Sequence, residues 1–232
     1  LRFAGDGISD GTLREYVVWP TRCLFPLPDS LSDADGAMLE PLGVAIHSVD
    51  LGHVKPGMTV GVFGCGPIGL LTLQVARAAG ATRLIATDKL PQRLEAARAL
   101  GAEVFQAADG QENAEIWAAT GRKGVDVAFE AAGEDPAVET AIACARPGSR
   151  VVLIGIPAED STTFTASTAR RKGLTIKLVR RMKHTYPRAI RLVESRMVDV
   201  RSLVTHRFPL AEINKAFTLA SRREGLKIVV EL

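Results

Sequence analysis

Residues Met58–Ala81 read M-T-V-G-V-F-G-C-G-P-I-G-L-L-T-L-Q-V-A-R-A-A-G-A. An apolar run, a glycine-rich turn and an amphipathic helix follow one another without a gap, and this succession decides the fold. Gly64, Gly66 and Gly69 stand in G-x-G-x-x-G spacing. In such a turn the first glycine permits the sharp exit from a strand, the second lets backbone approach a pyrophosphate, and the third lets helix and strand pack closely. The helix beginning at Pro67 and Ile68 then directs free N–H groups and its positive dipole end at the phosphates. The following strand, Arg83–Thr87, ends in Asp88, nineteen residues after Gly69, close to the ~20-residue offset of an acid that bonds a dinucleotide ribose. Strand, fingerprint, helix, strand and acid in this order predict a dinucleotide site.

Working outward, apolar runs alternate with helical segments. Strands are expected at Val60–Phe63, Arg83–Thr87, Ala102–Phe105, Val125–Glu130, Arg150–Ile154 and Leu174–Val179, and helices at Ile68–Ala79, Pro91–Leu100, Glu112–Ala119 and Pro136–Ala145. Continuous apolar strands separated by helices call for a parallel sheet covered on both faces. The fold class is therefore α/β, a doubly wound six-stranded parallel (Rossmann) sheet whose ligand lies at the carboxyl ends of the strands. Those ends carry F-E-A-A-G (Phe129–Gly133) and V-L-I-G-I-P (Val152–Pro157), which place small residues at the rim. Glu130 reads as a structural carboxylate bonding nearby backbone in preference to a catalytic group.

The flanks differ in character. Leu1–Pro28 is rich in Gly, Asp and Pro around a β-like run at Leu13–Trp19, and Leu31–Leu51 is a mostly apolar helix with Ser32 or Asp33 as N-cap. Pro41 should kink or divide that helix. Glu40 is its lone carboxylate within an apolar segment. It either meets a cation, donors or a metal-bound water or escapes to solvent beside Pro41; His47 reads as a core histidine. Beyond Val179 come a basic connection at Arg180–Tyr186, a helix at Pro187–Ser195, a strand at Ser202–Phe208, a helix at Leu210–Ser221 and a last strand, Leu226–Glu231, with no obvious partner. The expected division is 1–48 and 182–232 for a second domain and 49–181 for the dinucleotide-binding domain. Because the chain opens at Leu1 and both flanks want partners, it is expected to be part of a longer protein.

Composition narrows the function. Of 232 residues 47% are apolar and 24% charged, with a net charge of +3; this suits a globular protein and gives no reason to expect nucleic acid as a partner. No apolar run approaches a membrane span, so no membrane association and a cytoplasmic location are expected. Cys23, Cys65 and Cys144 fall in no metal or disulfide spacing.

The blocks D-G-T-L-R-E-Y (Asp10–Tyr16), G-A-M-L-E-P-L (Gly36–Leu42), G-C-G-P-I-G-L (Gly64–Leu70), T-D-K-L-P-Q-R (Thr87–Arg93) and L-V-T-H-R-F-P-L (Leu203–Leu210) together resemble the zinc-dependent medium-chain dehydrogenases, in particular their polyol, sorbitol dehydrogenase-like branch. The resemblance runs along the whole chain but lacks the family's N-terminal segment with its zinc ligands. It implies remnants of a GroES-like β-rich catalytic domain at both ends, NAD as cofactor, zinc, and a polyol or secondary alcohol as substrate. It further implies a dimer or tetramer of identical subunits. By position it implies that Gly64, Gly66, Pro67, Ile68 and Gly69 cradle the pyrophosphate, that Asp88 holds the ribose and Arg93 flanks the adenine, and that Ile154, Gly155 and Ile156 line the nicotinamide. Glu40 would face the zinc through its water, and Arg181 and Phe3 would contact the substrate. Met182, where a tyrosine is usual, and Ala4–Ile8, in place of a Thr-Pro-Pro turn, leave the polyol open. Two other functions remain open: a dinucleotide-binding fragment without turnover, and a zinc-free quinone-reductase-like oxidoreductase.

Overall fold

The computed structural model describes residues 11–108 and 110–232. Backbone contacts divide the chain into two compact units, one of residues 38–200 and one of residues 1–37 with 201–232. The larger unit thus includes 38–48 and 182–200, which the sequence reading assigns to the flanks.

In the larger unit six strands, β1 (Thr59–Phe63), β2 (Arg83–Asp88), β3 (Glu103–Gln106), β4 (Val125–Glu130), β5 (Ala145–Leu153) and β6 (Thr175–Leu178), form one parallel sheet in the order β3-β2-β1-β4-β5-β6. The order reverses between β1 and β4, so the carboxyl ends of these two neighbours flank the crevice where a doubly wound sheet takes its ligand. Helices α2 (Leu39–Gly52), α3 (Pro67–Ala78), α4 (Pro91–Ala99), α5 (Glu112–Ala119), α6 (Asp135–Cys144), α7 (Ala166–Lys172) and α8 (Tyr186–Glu194) cover it. Alternation of side chains across each strand divides the core. Phe63, Ile85, Ala128, Val151 and Leu153 pack with Ile116, Val138 and Ile142 of α5 and α6. On the other face a Cβ at Gly69 of α3 would meet Val62, and one at Gly52 of α2 would meet Phe129 and Val127. On the central strands β1, β4 and the end of β5 both sets of side chains are buried, which is why those strands are mostly apolar.

Two polar devices hold helices in place. The Gln74 side chain on α3 donates to the Asp199 carbonyl (2.9 Å) and accepts from its N–H (2.6 Å), a two-bond clamp on the chain beyond α8. At the end of α6 the Lys172 ammonium donates to the carbonyls of Ile142 (3.0 Å), Ala143 (2.5 Å) and Ala145 (2.9 Å) and lies 5.1 Å from the centre of the Trp117 ring. The last carbonyls of a helix have no partner within it, so a cation there satisfies them and the dipole together.

The smaller unit holds α1 (Asp33–Ala37), β7 (Val204–Pro209), α9 (Ile213–Ser221) and β8 (Lys227–Glu231). The N-cap is Ser32: its Oγ accepts the Asp35 N–H (3.3 Å) while Asp35 Oδ2 accepts the Ser32 N–H (2.9 Å), a reciprocal cap. Arg201 closes on Asp35 through Nε (3.0 and 3.2 Å) and Nη2 (2.9 Å).

Several expectations change. The helix expected over 31–51 divides at Met38, not at Pro41; Pro41 falls in the first turn of α2, where its missing N–H costs nothing. Leu13–Trp19 is not a strand: Val18 is 98% exposed, and a lone strand leaves its ladder groups unpaired. The last strand does have a partner, since β8 pairs in parallel with β7 across α9. The sequence reading has no helix between β5 and β6, yet α7 forms there and ends in Arg170-Arg171-Lys172 before Gly173 at φ 60°, an ordinary C-terminal signature. Among the described residues β7 and β8 are the only strands of the smaller unit.

Candidate functional site: the glycine turn and the strand ends beside it

The three glycines of the turn meet three different surroundings. Gly64 has φ +105°, and a Cβ there would lie 2.7 Å from the Ala132 nitrogen, so the turn is seated against the chain leaving β4. A Cβ at Gly69 would lie 1.9 Å from the Gly64 carbonyl oxygen, which fixes how tightly α3 closes on the turn. At Gly66 the space is open, with only the tip of Arg93 (Nη1, 3.8 Å) within reach of a Cβ. Gly66 is the N-cap of α3 and Pro67 its first residue. The N–H groups of Ile68 and Gly69 therefore have no acceptor within the helix and open onto the bare face of Gly66.

Asp88 closes the same turn from β2. It is 7% exposed, its Oδ2 accepts the Cys65 N–H (2.7 Å), and its Oδ1 accepts the Leu90 N–H (2.8 Å). The Arg93 guanidinium stands 3.7 Å from Oδ2, and its Nε is buried with no hydrogen-bond partner. A carboxylate, a guanidinium with an unused N–H, helix-end amides and a bare glycine face come together at one turn. These groups suit the ribose and pyrophosphate of a dinucleotide, whose oxygens would occupy the donors left open. Burial and the neighbouring Asp88 charge push the Cys65 thiol well above its ordinary range, so this cysteine packs and does not react.

On the far side of β1 lie the ends of β4 and β5. Glu130 is 1% exposed, and its Oε1 accepts the N–H groups of Ala132 (2.7 Å) and Gly133 (2.6 Å), the backbone-bonding role expected for it. Ile154 is buried, Gly155 half-buried and Ile156 89% exposed at the rim. The sequence reading misses the ion pair of Lys89 and Glu134 (2.7 Å), which ties the segment after β2 to the one after β4. Nothing in the spacing of two surface charges forty-five residues apart signals it.

The groups expected near a substrate are less gathered. Glu40 is exposed on the first turn of α2. Tyr186, at the start of α8, is half-buried; burial first and the Glu40 charge second raise its phenol above the usual range. Arg181 is exposed with φ 53°, and Met182 packs on α2, its Cε 2.6 Å from where a Gly43 Cβ would stand. His47 is a buried core histidine, held below its ordinary pKa by burial and then by Lys183. Phe3 and Ala4–Ile8 lie outside the described residues. Among the described residues no three His, Cys, Asp or Glu side chains come together to hold a metal, so these residues alone do not fit a zinc ion.

Such a sheet, with a glycine turn after its first strand, defines a doubly wound, Rossmann-like α/β protein. Residues 67–195 match the zinc-binding dehydrogenase family. The chain is 34% identical to sorbitol dehydrogenase of Bacillus subtilis, over 99% of this chain and 66% of that protein, and 37% identical to the probable D-xylulose reductase A of Emericella nidulans, over 99% and 66%. Among solved structures, a short chain alcohol dehydrogenase of Escherichia coli CFT073 complexed with NADH superposes with a TM-score of 0.86 at 26% identity, over 95% of this chain and 66% of that one. A zinc-binding dehydrogenase of Sinorhizobium meliloti 1021 bound to NADP does so with 0.86 at 28%, over 96% and 67%. The chain belongs to the zinc-binding dehydrogenase family, and it spans about two thirds of the length of these relatives.

Proposed function

We propose that this chain is the cofactor-binding part of a dehydrogenase that oxidises a polyol or secondary alcohol to the ketone with NAD. The observation that carries the reading is the bare face of Gly66, open to the N-terminus of α3 and flanked by Asp88 and Arg93. Polyol substrates are proposed from the sorbitol dehydrogenase and D-xylulose reductase relatives. When bound, NAD would supply the hydride acceptor. The chain's own residues would then place it: helix-end amides on the pyrophosphate, Asp88 on the ribose hydroxyls, Arg93 beside the adenosine, and Ile154–Ile156 along the nicotinamide. Glu40 and Arg181 are proposed to meet the substrate.

Asp88 favours NAD because a carboxylate at the ribose repels a 2′-phosphate. Fluorescence titration with NADH and NADPH tests this. The chain is expected to bind NADH more tightly, and Asp88→Ala to narrow or reverse the ratio. Equal affinities in the unsubstituted chain would refute the ribose assignment. A second reading, that these residues bind NAD without turnover, draws support from the scattered metal-binding side chains. Activity in this chain with added zinc would rule it out.

A further inference from the structure

The carboxylate of Glu130 is buried at the end of β4, and among the described residues no cation pairs with it. Backbone alone compensates it. Oε1 accepts from Ala132 and Gly133, and the N–H groups of Gly155 and Glu134 also face the carboxylate. The main-chain oxygen of the same residue accepts from Ile154 (2.8 Å) and Gly155 (3.2 Å). One residue therefore gathers the chain leaving β4 and the chain leaving β5.

The two segments meet backbone to backbone. A Cβ at Gly155 would lie 2.1 Å from the Gly133 nitrogen, and one at Gly133 would lie 2.5 Å from the Ile156 carbonyl oxygen. Only a pair of glycines permits that approach, and at this junction N–H groups from both segments point to one spot. A carboxylate has two oxygens that accept and nothing that donates, so it can serve all of them. An amide would turn donors toward donors. Burial nonetheless raises the Glu130 pKa above the ordinary carboxylate range despite these bonds, so its charge sits at a cost to the fold.

We propose that Glu130 is a positioning residue for the cofactor: it locks residues 131–134 against 154–156 and so builds the wall against which the nicotinamide half of NAD is held. Glu130 acts through the backbone, its Oε1 accepting from Ala132 and Gly133. The assignment rests on the NAD-binding reading above and adds to it that the two halves of the dinucleotide depend on different parts of the chain. The adenosine and pyrophosphate half depends on Gly66, Asp88 and Arg93, and the nicotinamide half on the junction Glu130 holds.

The test compares NADH with ADP, which lacks the nicotinamide, on the full chain. For Glu130→Gln the NADH affinity is expected to fall about tenfold or more, the scale of losing charge-assisted hydrogen bonds, with ADP affinity within about twofold of the unsubstituted chain. Glu130→Asp keeps the charge but withdraws it by one methylene, and is expected to show a smaller loss confined to NADH. Unchanged NADH affinity in both variants, or equal loss of NADH and ADP, overturns the proposal. So does failure of both variants to fold, which would make the carboxylate a requirement of the fold. If the unsubstituted chain binds neither compound, the NAD-binding reading fails and this one with it. If it binds both and the variants keep NADH, only the role of Glu130 falls.

Discussion

Replacing Gly66 and Gly69 by alanine, one at a time, separates the two duties of the glycine turn. At Gly66 the backbone has φ −66° and ψ −179°, open to any residue, and a new methyl would find only the tip of Arg93 at 3.8 Å. Folding should be unchanged within about 1 kcal/mol, and a small gain is expected because alanine narrows the unfolded ensemble. The methyl would stand on the face that the pyrophosphate must approach, so NADH affinity should fall about a hundredfold or more, the scale of a displacement near 1 Å. At Gly69 the methyl would lie 1.9 Å from the Gly64 carbonyl oxygen, more than 1 Å inside the closest contact that Cβ atoms make with backbone. Opening the seam between α3 and the turn should cost about 3 kcal/mol, the upper range for overpacking. For a chain of this size that lowers Tm by roughly 6–12 °C. Thermal unfolding followed by circular dichroism reads the first quantity and NADH fluorescence the second. A Gly66→Ala protein that binds NADH like the unsubstituted chain would show that the cofactor does not cross Gly66. A Gly69→Ala protein of unchanged Tm would refute the close packing of α3 on the turn.

Lys172→Met removes the ammonium from three carbonyls and the Trp117 ring while keeping the stem; a loss of about 2–4 kcal/mol is expected by urea unfolding, and a loss under about 0.5 kcal/mol would mean that water replaces it. Gln74→Ala removes both of its bonds to the Asp199 backbone, and should cost about 2 kcal/mol in the same assay. For Asp35, burial opposes ionisation, but the hydrogen bonds from Arg201 and Ser32 outweigh it and the net pKa is lowered. The sign follows: a depressed folded pKa gives stability that is fully present above the unfolded value, near 3.8, and is lost as pH falls through the folded one. Arg201→Ala should therefore remove more stability at pH 6 than at pH 2, measured by chemical unfolding; equal losses at both would refute the pairing.

The parallel sheet was legible because its central strands are mostly apolar on both faces and helical segments separate them, a pattern that can be counted along the chain. The turn was legible because Gly64, Gly66 and Gly69 carry a steric requirement at fixed spacing, and Asp88 because the offset from the turn is set by one helix and one strand. Local signals of this kind survive without knowledge of what packs where.

Tertiary structure decided the rest. The apolar neighbours of Glu40 left two environments open for it, and a helix turns each residue about 100° from the next, so only the folded helix shows position 40 exposed. Leu13–Trp19 has the composition of a strand, but a strand exists only where a second one satisfies its hydrogen bonds. Conversely, β8 seemed to lack a partner until α9 returned it beside β7. The gathering of four N–H groups on Glu130 joins residues some twenty-five apart through two strand ends, and the clamp of Gln74 on Asp199 spans 125 residues. Spacing along the chain foretold the turn; only folding could bring distant backbone amides to one buried carboxylate, since nothing in the identity of an amide marks where it will point.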